Sequence, residues 1–547
     1  MNTTNDLLSG TLPEFVYKCA EIDRIAAMDT LAAGLLSAGL RPNDRILICG
    51  SNTAHFFICP LACARADLIF SLMNPNFTNA EQLKYALVNG EFRAIICFPA
   101  NREAEFLSNL LNEISPELIY SAKGRLCCKE MPKLTHIIMA EEEHKHAGTF
   151  TLSEIYGRSN RERIDKLPNF MTWDTHKLAA LQFTSVCYKK IIKFDKLFLT
   201  RISVKLFIII IVIIIIIIII IIIIIIIIII IIIIIIIIII IIIIIIIIII
   251  IIIIIIIIII IIIIIIIISA PKLVGLTHYQ LLNGCYAAIK AIGCNDTSCI
   301  CCALPLFKIP IFSLIGLSPF ITNTRVIYPS PSPLPKFLFE SIKNFSLILR
   351  IAQIQNVRLP SIENIILLGE RIPSDVIKNI IKQFENVQKV MNGYILTEVA
   401  SIPILTWDTM NIKGVGKALD EFSVEIRNLG IQANWKGNNN NNNNQSGELY
   451  IKAIKGSKFL GYETPYEGDK EWIETGDVVT MNEVGIIEII TNKEDLIVDN
   501  SGQLIEHWLL EKYYVLIMRS KIVALNKKLP LYAFIVLKNP KRMWMSY

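Results

Sequence analysis

Three groups of residues have types and spacings that could do chemistry. The first is split: Thr184 and Ser185 stand on one side of a long isoleucine run, and Pro271, Lys272, Thr277 and His278 stand on the other. Hydroxyls and a lysine neutralise phosphate charge, and neighbouring glycines, which accept positive φ, let backbone N–H groups surround phosphate oxygens. The second group is Tyr394, Thr397 and Glu398, within five consecutive residues. A carboxylate suits a hard cation that bridges phosphate oxygens, but Thr-Glu pairs are common and this group says little alone. The third runs from Trp472 through Thr475, Gly476 and Asp477 to Gly485. An aspartate offers the paired acceptors that a vicinal diol needs; the plain alternative is a Gly-Asp turn between two strands.

The elements that must position these residues alternate along the chain. Residues 31–39 carry apolar side chains at helical spacing with Gly39 as a stop, 41–45 make a turn, and 46–49 form a short apolar strand. Helices are predicted at 52–65 and 80–88, and strands at 68–72 and 94–98. Strands separated by helices of this length imply an α/β fold with a mostly parallel sheet covered on both faces. Beyond residue 294 the pattern continues with a strand at 362–368 and a helix at 374–384. Strands at 424–427, 447–454 and 486–490 follow in a more β-rich part. The asparagine run 438–444 reads as a surface loop.

A chain of 547 residues exceeds one ordinary domain. Its net charge is +6, with lysines and arginines scattered rather than clustered, which argues against a nucleic-acid partner. The hydrophobic share of 54% is inflated by residues 208–268, all isoleucine except Val212. Isoleucine and asparagine homopolymers have AT-rich codons, and the flank 189–207 does not continue the preceding pattern. Intron sequence carried into the reading frame accounts for 187–268 on this view. The alternative is a membrane segment, since a bilayer span needs about 20 apolar residues and the tract suffices for two or three passes. Of the 13 cysteines, Cys299 and Cys302 form one CxxC pair with no second pair at zinc spacing, so buried, reduced thiols of an intracellular protein are expected. The first twenty residues resemble neither a signal peptide nor an Arg-rich transit peptide.

Joined across the tract, Thr184, Ser185, Pro271, Lys272, Thr277 and His278 resemble the TSGTTGxPKGxxxTH phosphate loop of the adenylate-forming (AMP-binding) superfamily, in its acyl-CoA synthetase branch. Tyr394, Thr397 and Glu398 are similar to its YGxTE step, and Trp472 to Asp477 to its WxxTGD stretch. Supporting likenesses run in order: residues 39–52, 62–66 and 74–75, the adenine-loop segment 368–373 with Gly369 and Glu370, Gly416-Lys417, Gly447 to Leu449, and Leu460 to Tyr462. The start and the residues around Asp477 look most like the mitochondrial medium-chain acyl-CoA ligases.

The resemblance implies a large N-terminal adenylate-forming domain and a small α+β C-terminal one. The boundaries expected are 1–186, the insertion 187–268, 269–493, and a truncated C-terminal part at 494–547. It further implies that Thr184, Ser185 and Lys272 hold phosphates, Gly369, Glu370 and Tyr394 lie at adenine, Thr397 approaches the α-phosphate, Glu398 helps to hold Mg²⁺, and Asp477 takes the ribose hydroxyls. Substrates would be a fatty acid, ATP and coenzyme A, and the compartment the mitochondrion.

Departures are equally specific. The early glycines and middle threonines of the phosphate loop are replaced by the insertion, and Leu273 stands at its last glycine. Ile395 replaces the glycine of YGxTE, and Lys308 replaces a histidine at the acyl pocket. Asn492 replaces the arginine of the GRxKD hinge signature, where Glu494 or Asp495 would be the hinge position. Neither Lys527 nor Lys528 has the setting of the C-terminal lysine that reaches the α-phosphate. The expectation is therefore an acyl-CoA ligase with impaired turnover. The alternatives are a non-catalytic nucleotide- or acyl-binding remnant, a protein anchored in a membrane by its isoleucines, or, within the family, a luciferase-type or peptide-synthetase adenylation domain.

Overall fold

The computed structural model describes residues 7–184 apart from 20–21, 51, 76–79, 99–108, 110 and 141–146. It describes 272–328 apart from 303, and 362–493 apart from 369–373, 385, 407–413, 429–444 and 463–470. Past 493 it describes only the pairs β18 (Ile497–Val498) with β19 (Leu504–Ile505) and β20 (Lys521–Leu525) with β21 (Ala533–Val536), both antiparallel. Two compact units emerge, Met1–Thr184 with Lys272–Tyr547, and Ser185–Pro271; all described residues belong to the first. The isoleucine tract, and with it the choice between intron and membrane passes, lies outside them, as does the asparagine run. No helix among the described residues is long and apolar enough to cross a membrane.

A seven-stranded sheet has the order β5-β4-β3-β1-β2-β6-β7. Its strands are β1 (Arg45–Cys49), β2 (Ile69–Met73), β3 (Ala94–Cys97), β4 (His136–Met139), β5 (Thr149–Thr151), β6 (Leu178–Phe183) and β7 (Leu273–Thr277). Every pairing is parallel except β6 with β7. Successive strand residues face opposite sides, and the burial follows that rule. Ile46, Ile48, Ala94, Ile96 and Ile138 enter one core, while Leu47, Cys49, Ile95, Cys97, Ile137 and Met139 enter another. The near-continuous apolar runs read in the sequence are thus strands buried on both faces.

Helices α1 (Leu12–Cys19), α2 (Ile22–Ser37) and α3 (Ala54–Arg65) cover the first face, and α4 (Ala80–Asn89) covers the second. Helix α3 begins at Ala54, later than the predicted 52, because the Thr53 hydroxyl accepts the Phe56 N–H as its cap. Helix α2 starts nine residues before the predicted 31. Its early turns carry Asp29, which pairs with the buried Arg65 at 3.0 Å. Gly34 on α2 permits close approach to α5 (Leu152–Gly157): a Cβ there would lie 2.1 Å from the Ile155 carbonyl oxygen. Helix α6 (Arg161–Asp165) follows α5, and α7 (His278–Ile292) follows β7 and packs into the first core.

A two-stranded parallel sheet joins β8 (Cys299–Cys301) and β9 (Arg325–Ile327). Cys299 and Cys301 are exposed there, as is Cys127, so the expectation of uniformly buried thiols fails at these three. Cys299 and Cys301 lie on a strand of three residues, and Cys127 lies outside any helix or strand, between the buried Leu126 and Cys128. The remainder holds two four-stranded sheets. One has the order β10 (Asn364–Leu368), β11 (Lys389–Leu396), β12 (Ser401–Thr406), β13 (Lys417–Ala418), with α8 (Ser374–Gln383). The other is antiparallel: β14 (Val424–Arg427), β15 (Gln445–Lys452), β16 (Trp472–Met481), β17 (Ile487–Asn492).

Candidate active site

The β6–β7 pairing brings together the two flanks of the insertion. Phe183 pairs with Leu273, and the ladder runs one residue further. The Thr184 N–H donates to the Lys272 carbonyl at 2.9 Å, and the Lys272 N–H donates to Thr184 Oγ1 at 3.2 Å. Thr184 and Lys272 are therefore neighbours at the end of one hairpin. Leu273 lies in a small apolar cluster with Ile69 and Leu181, which explains how the fold accommodates a bulky residue there. Ser185 lies outside the described residues.

Thr277 and His278, which match the end of the loop signature, stand at the start of α7. The Thr277 hydroxyl and the Gln280 side chain form a reciprocal cap at the start of α7. His278 is buried, its Nδ1 accepting the Leu12 N–H at 3.3 Å. Burial, with help from Lys177, lowers its pKa to about 3. The imidazole is thus neutral in the fold but takes a proton when unfolded below about pH 6.5. Its contribution is full above that value and is lost as pH falls toward 3, by about 1.4 kcal/mol per unit. Glu398 and Asp477, whose carboxyls are raised by burial, act in the opposite sense, because acid relieves their buried charge. Comparing denaturant midpoints of the parent and His278→Gln between pH 7 and 4.5 isolates the histidine. The parent should lose ground to the variant with each unit of acidification; a constant gap would contradict a buried neutral ring.

Tyr394 lies on β11, where the pairing with β12 shifts register between Tyr394 and Leu396. Thr397–Val399 make one turn of 3-10 helix, and Ala400 follows in the left-handed region at φ 51°. This tight reversal buries Glu398 and leaves Thr397 half-buried beside it. Tyr462 donates its hydroxyl to Glu398 Oε1 at 2.9 Å, and Lys272 Nζ stands over the Tyr462 ring at 5.0 Å from its centroid. Burial raises the Glu398 carboxyl, while the Tyr462 hydrogen bond and the Lys272 charge hold it down.

Asp477 sits on β16 directly after Gly476, whose φ of 74° falls where the pairing with β15 shifts register between Glu474 and Val478. The predicted alternative, a Gly-Asp turn, is replaced by a continuous ten-residue strand. Tyr394 donates its hydroxyl to Asp477 Oδ2 at 2.7 Å, and Asn492 on β17 donates its amide to Oδ1 at 3.2 Å. The Asp477 N–H donates to Thr475 Oγ1, and that hydroxyl donates to the Leu449 carbonyl. Burial raises the Asp477 carboxyl against those two donors. Burial and the Asp477 charge push the Tyr394 phenol well up.

Thr184, Lys272, Tyr394, Thr397, Glu398 and Asp477 thus form one connected constellation drawn from four distant stretches of chain. Gly369 and Glu370 lie outside the described residues. Tyr462 and Asn492 are the linking groups whose contacts the sequence did not reveal. Asn492 was visible only as a missing arginine, and Tyr462 only as the end of a short likeness. Lys308 lies half-buried ahead of the turn Ile309–Ile311.

A buried carboxylate beside a lysine and a hydroxyl, next to a second carboxylate with neutral donors, suits a magnesium-bearing nucleotide. The fold and these residues define an adenylate-forming protein: the chain belongs to the AMP-binding enzyme family, whose pattern matches residues 25–185 and 269–462, interrupted at the insertion. Medium-chain acyl-CoA ligase ACSF2, mitochondrial, of Bos taurus is 32% identical over 162 residues, covering 29% of this chain and 25% of that protein. The human protein of that name is 32% identical over 160 residues, again 29% of this chain and 25% of its own length. The matched segment therefore spans about a quarter of these ligases. Acyl-CoA ligase SID4 of Ajellomyces capsulatus is 21% identical over 526 residues, covering 91% of this chain and 72% of that one. Among solved structures, the anthranilate CoA ligase AuaEII with anthranoyl-AMP aligns at TM-score 0.63 with 12% identity, covering 98% of this chain and 89% of that one. The o-succinylbenzoate CoA synthetase of Bacillus subtilis with its acyl-adenylate aligns at 0.60 with 13% identity, covering 97% and 89%. At such identities the structures show the shared fold.

Proposed function

We propose that this chain carries the site of an ATP-dependent fatty acid–CoA ligase of the medium-chain, mitochondrial kind, with turnover held near zero by its interrupted phosphate loop. The observation that carries the reading is the joining of Tyr394, Asp477, Glu398, Tyr462 and Lys272 in one cluster. In the reaction, a fatty carboxylate oxygen attacks the α-phosphorus of ATP, the bond to pyrophosphate breaks, and an acyl-adenylate forms. The coenzyme A thiol then attacks the acyl carbonyl, losing its proton as AMP departs. Both steps depend on positioning and charge neutralisation.

Asp477 would accept the two ribose hydroxyls, Tyr394 would lie against adenine with Gly369 and Glu370, and Thr397 would meet the α-phosphate. Lys272, with Thr184 and Ser185, would meet the outer phosphates. The donor set around Glu398 fits Mg²⁺, which is bound through one or two carboxylates plus substrate phosphates rather than by an all-protein cage. Glu398 keeps one oxygen on Tyr462 and would give the other to the ion, which when bound neutralises phosphate charge. The domain boundaries 1–186, 187–268, 269–493 and 494–547 are proposed with this reading.

The test is equilibrium binding of AMP alongside an assay of thioester formation from octanoate, Mg·ATP and coenzyme A. Two charge-assisted hydrogen bonds to the ribose support a dissociation constant of about 0.1–1 mM. Thioester should stay at background for the full chain. Turnover at ordinary ligase rates would refute the impairment, and no AMP binding at 10 mM would refute the site.

A further inference from the structure

The geometry points to Lys493 as a positioning residue of the nucleotide site: it clamps the end of β17 to two neighbouring strands and so presents Asn492 to Asp477. This inference rests on the nucleotide reading above. Lys493 Nζ donates to Glu448 Oε2 on β15 at 2.8 Å and to Glu474 Oε1 on β16 at 2.9 Å. One cation thereby ties three adjacent strands together. Glu448 is 5% exposed in its side chain, whereas Glu474 and Lys493 are about half exposed.

The two arms differ in kind. The exposed arm to Glu474 is screened by water and contributes little. The arm to Glu448 is not, because a buried carboxylate that loses this ion pair faces a second carboxylate on the next strand. Arg427, the cross-strand partner of Glu448, directs its guanidinium to Glu425 and over the Tyr450 ring at 4.2 Å. Lys493 is a cation that closes on Glu448 directly.

Asn492 immediately precedes this clamp and pairs with Asp477 across the β16–β17 ladder. Among the described residues its amide is one of two side-chain donors on the Asp477 carboxylate, the Tyr394 hydroxyl being the other. Both groups are neutral, and the asparagine side chain is short, so its aim depends on the backbone that carries it. Fixing residue 493 fixes the direction from which residue 492 approaches. A ribose diol on the remaining lone pairs of Asp477 then meets a carboxylate already oriented.

The experiment measures AMP affinity and thermal midpoint for the full chain with Lys493→Met, Lys493→Arg, Asn492→Ala and the double variant Lys493→Met/Asn492→Ala. Lys493→Met should weaken AMP roughly fivefold, about the value of one hydrogen bond, and Lys493→Arg should restore it. Asn492→Ala should weaken AMP to a similar extent, and the double variant no further, because both act through one contact. Adding Glu448→Gln to Lys493→Met should recover the thermal midpoint without recovering AMP affinity. A purely structural ion cluster would lower the midpoint and leave AMP affinity unchanged, and that result would overturn the proposal. So would additive losses in the double variant. Failure of the unsubstituted chain to bind AMP would instead strike at the nucleotide site itself, and this inference would fall with it.

Discussion

A chain in which residues 186–269 are replaced by Gly-Thr-Thr-Gly, leaving Ala270, Pro271 and Lys272 in place, is expected to bind Mg·ATP about a hundredfold more tightly than the present one. That is the scale on which single preorganised donors act at a phosphate or oxyanion. It should also begin octanoate-dependent exchange of pyrophosphate into ATP. The structural basis is the pair of hydrogen bonds between Thr184 and Lys272. The hairpin is already closed at its base, so the graft restores donors without having to bring distant strands together. Shortening the connection also removes closure entropy, roughly 2 kcal/mol by the logarithmic dependence on loop length, so the grafted chain should melt higher. Calorimetric titration with ATP, after circular dichroism has shown the variant folded, decides the matter. A folded graft that holds ATP no better would sink the phosphate-loop assignment.

In that grafted background, Asp477→Asn is expected to cost about a hundredfold in AMP affinity, the value of two hydrogen bonds to a charged acceptor. Stability should move the other way or stay level, because burial raises the Asp477 carboxyl and the amide removes that buried charge. The raised pKa sets the sign: the cost of the carboxylate is present at neutral pH and disappears as acid protonates it. The decisive comparison uses 2′,3′-dideoxy-AMP. If Asp477 takes the ribose diol, the substitution leaves the affinity of that analogue nearly unchanged. Equal losses for both ligands would assign Asp477 to holding Tyr394 and Asn492 alone.

The large sheet was readable because its strands are apolar on both faces, and a run such as Ile46 to Cys49 has few other homes. The start of α2 was not, since Asp29 interrupts the pattern and its partner Arg65 lies far along the chain. The stretch around Asp477 gave the right residues but an uncertain backbone. Gly476 suggests a turn, and only pairing with β15 and β17 makes it an irregularity within a strand. Motif order located Tyr394, Glu398 and Asp477, whereas the contact of Tyr462 with Glu398 depends on how distant segments meet and that of Asn492 with Asp477 on strand register. Thr277 and His278 were placed by motif order alone, with no role attached. Their types fit a phosphate loop, and their positions at a helix start make them a cap and a buried, neutral ring.

Helix α7 follows the insertion, yet it is fastened to the beginning of the chain. Asn283 exchanges hydrogen bonds with the backbone of Leu8 at 2.6 and 3.0 Å, and His278 receives the Leu12 amide. With β6 and β7 paired as well, the described residues before 185 and after 271 hold each other through side chains, sheet and core. These contacts tie the two halves together independently of the peptide link through the isoleucines. Synthesised as two separate polypeptides, the halves are expected to complement into one noncovalent whole, which co-purification of one half with a tagged other half would check.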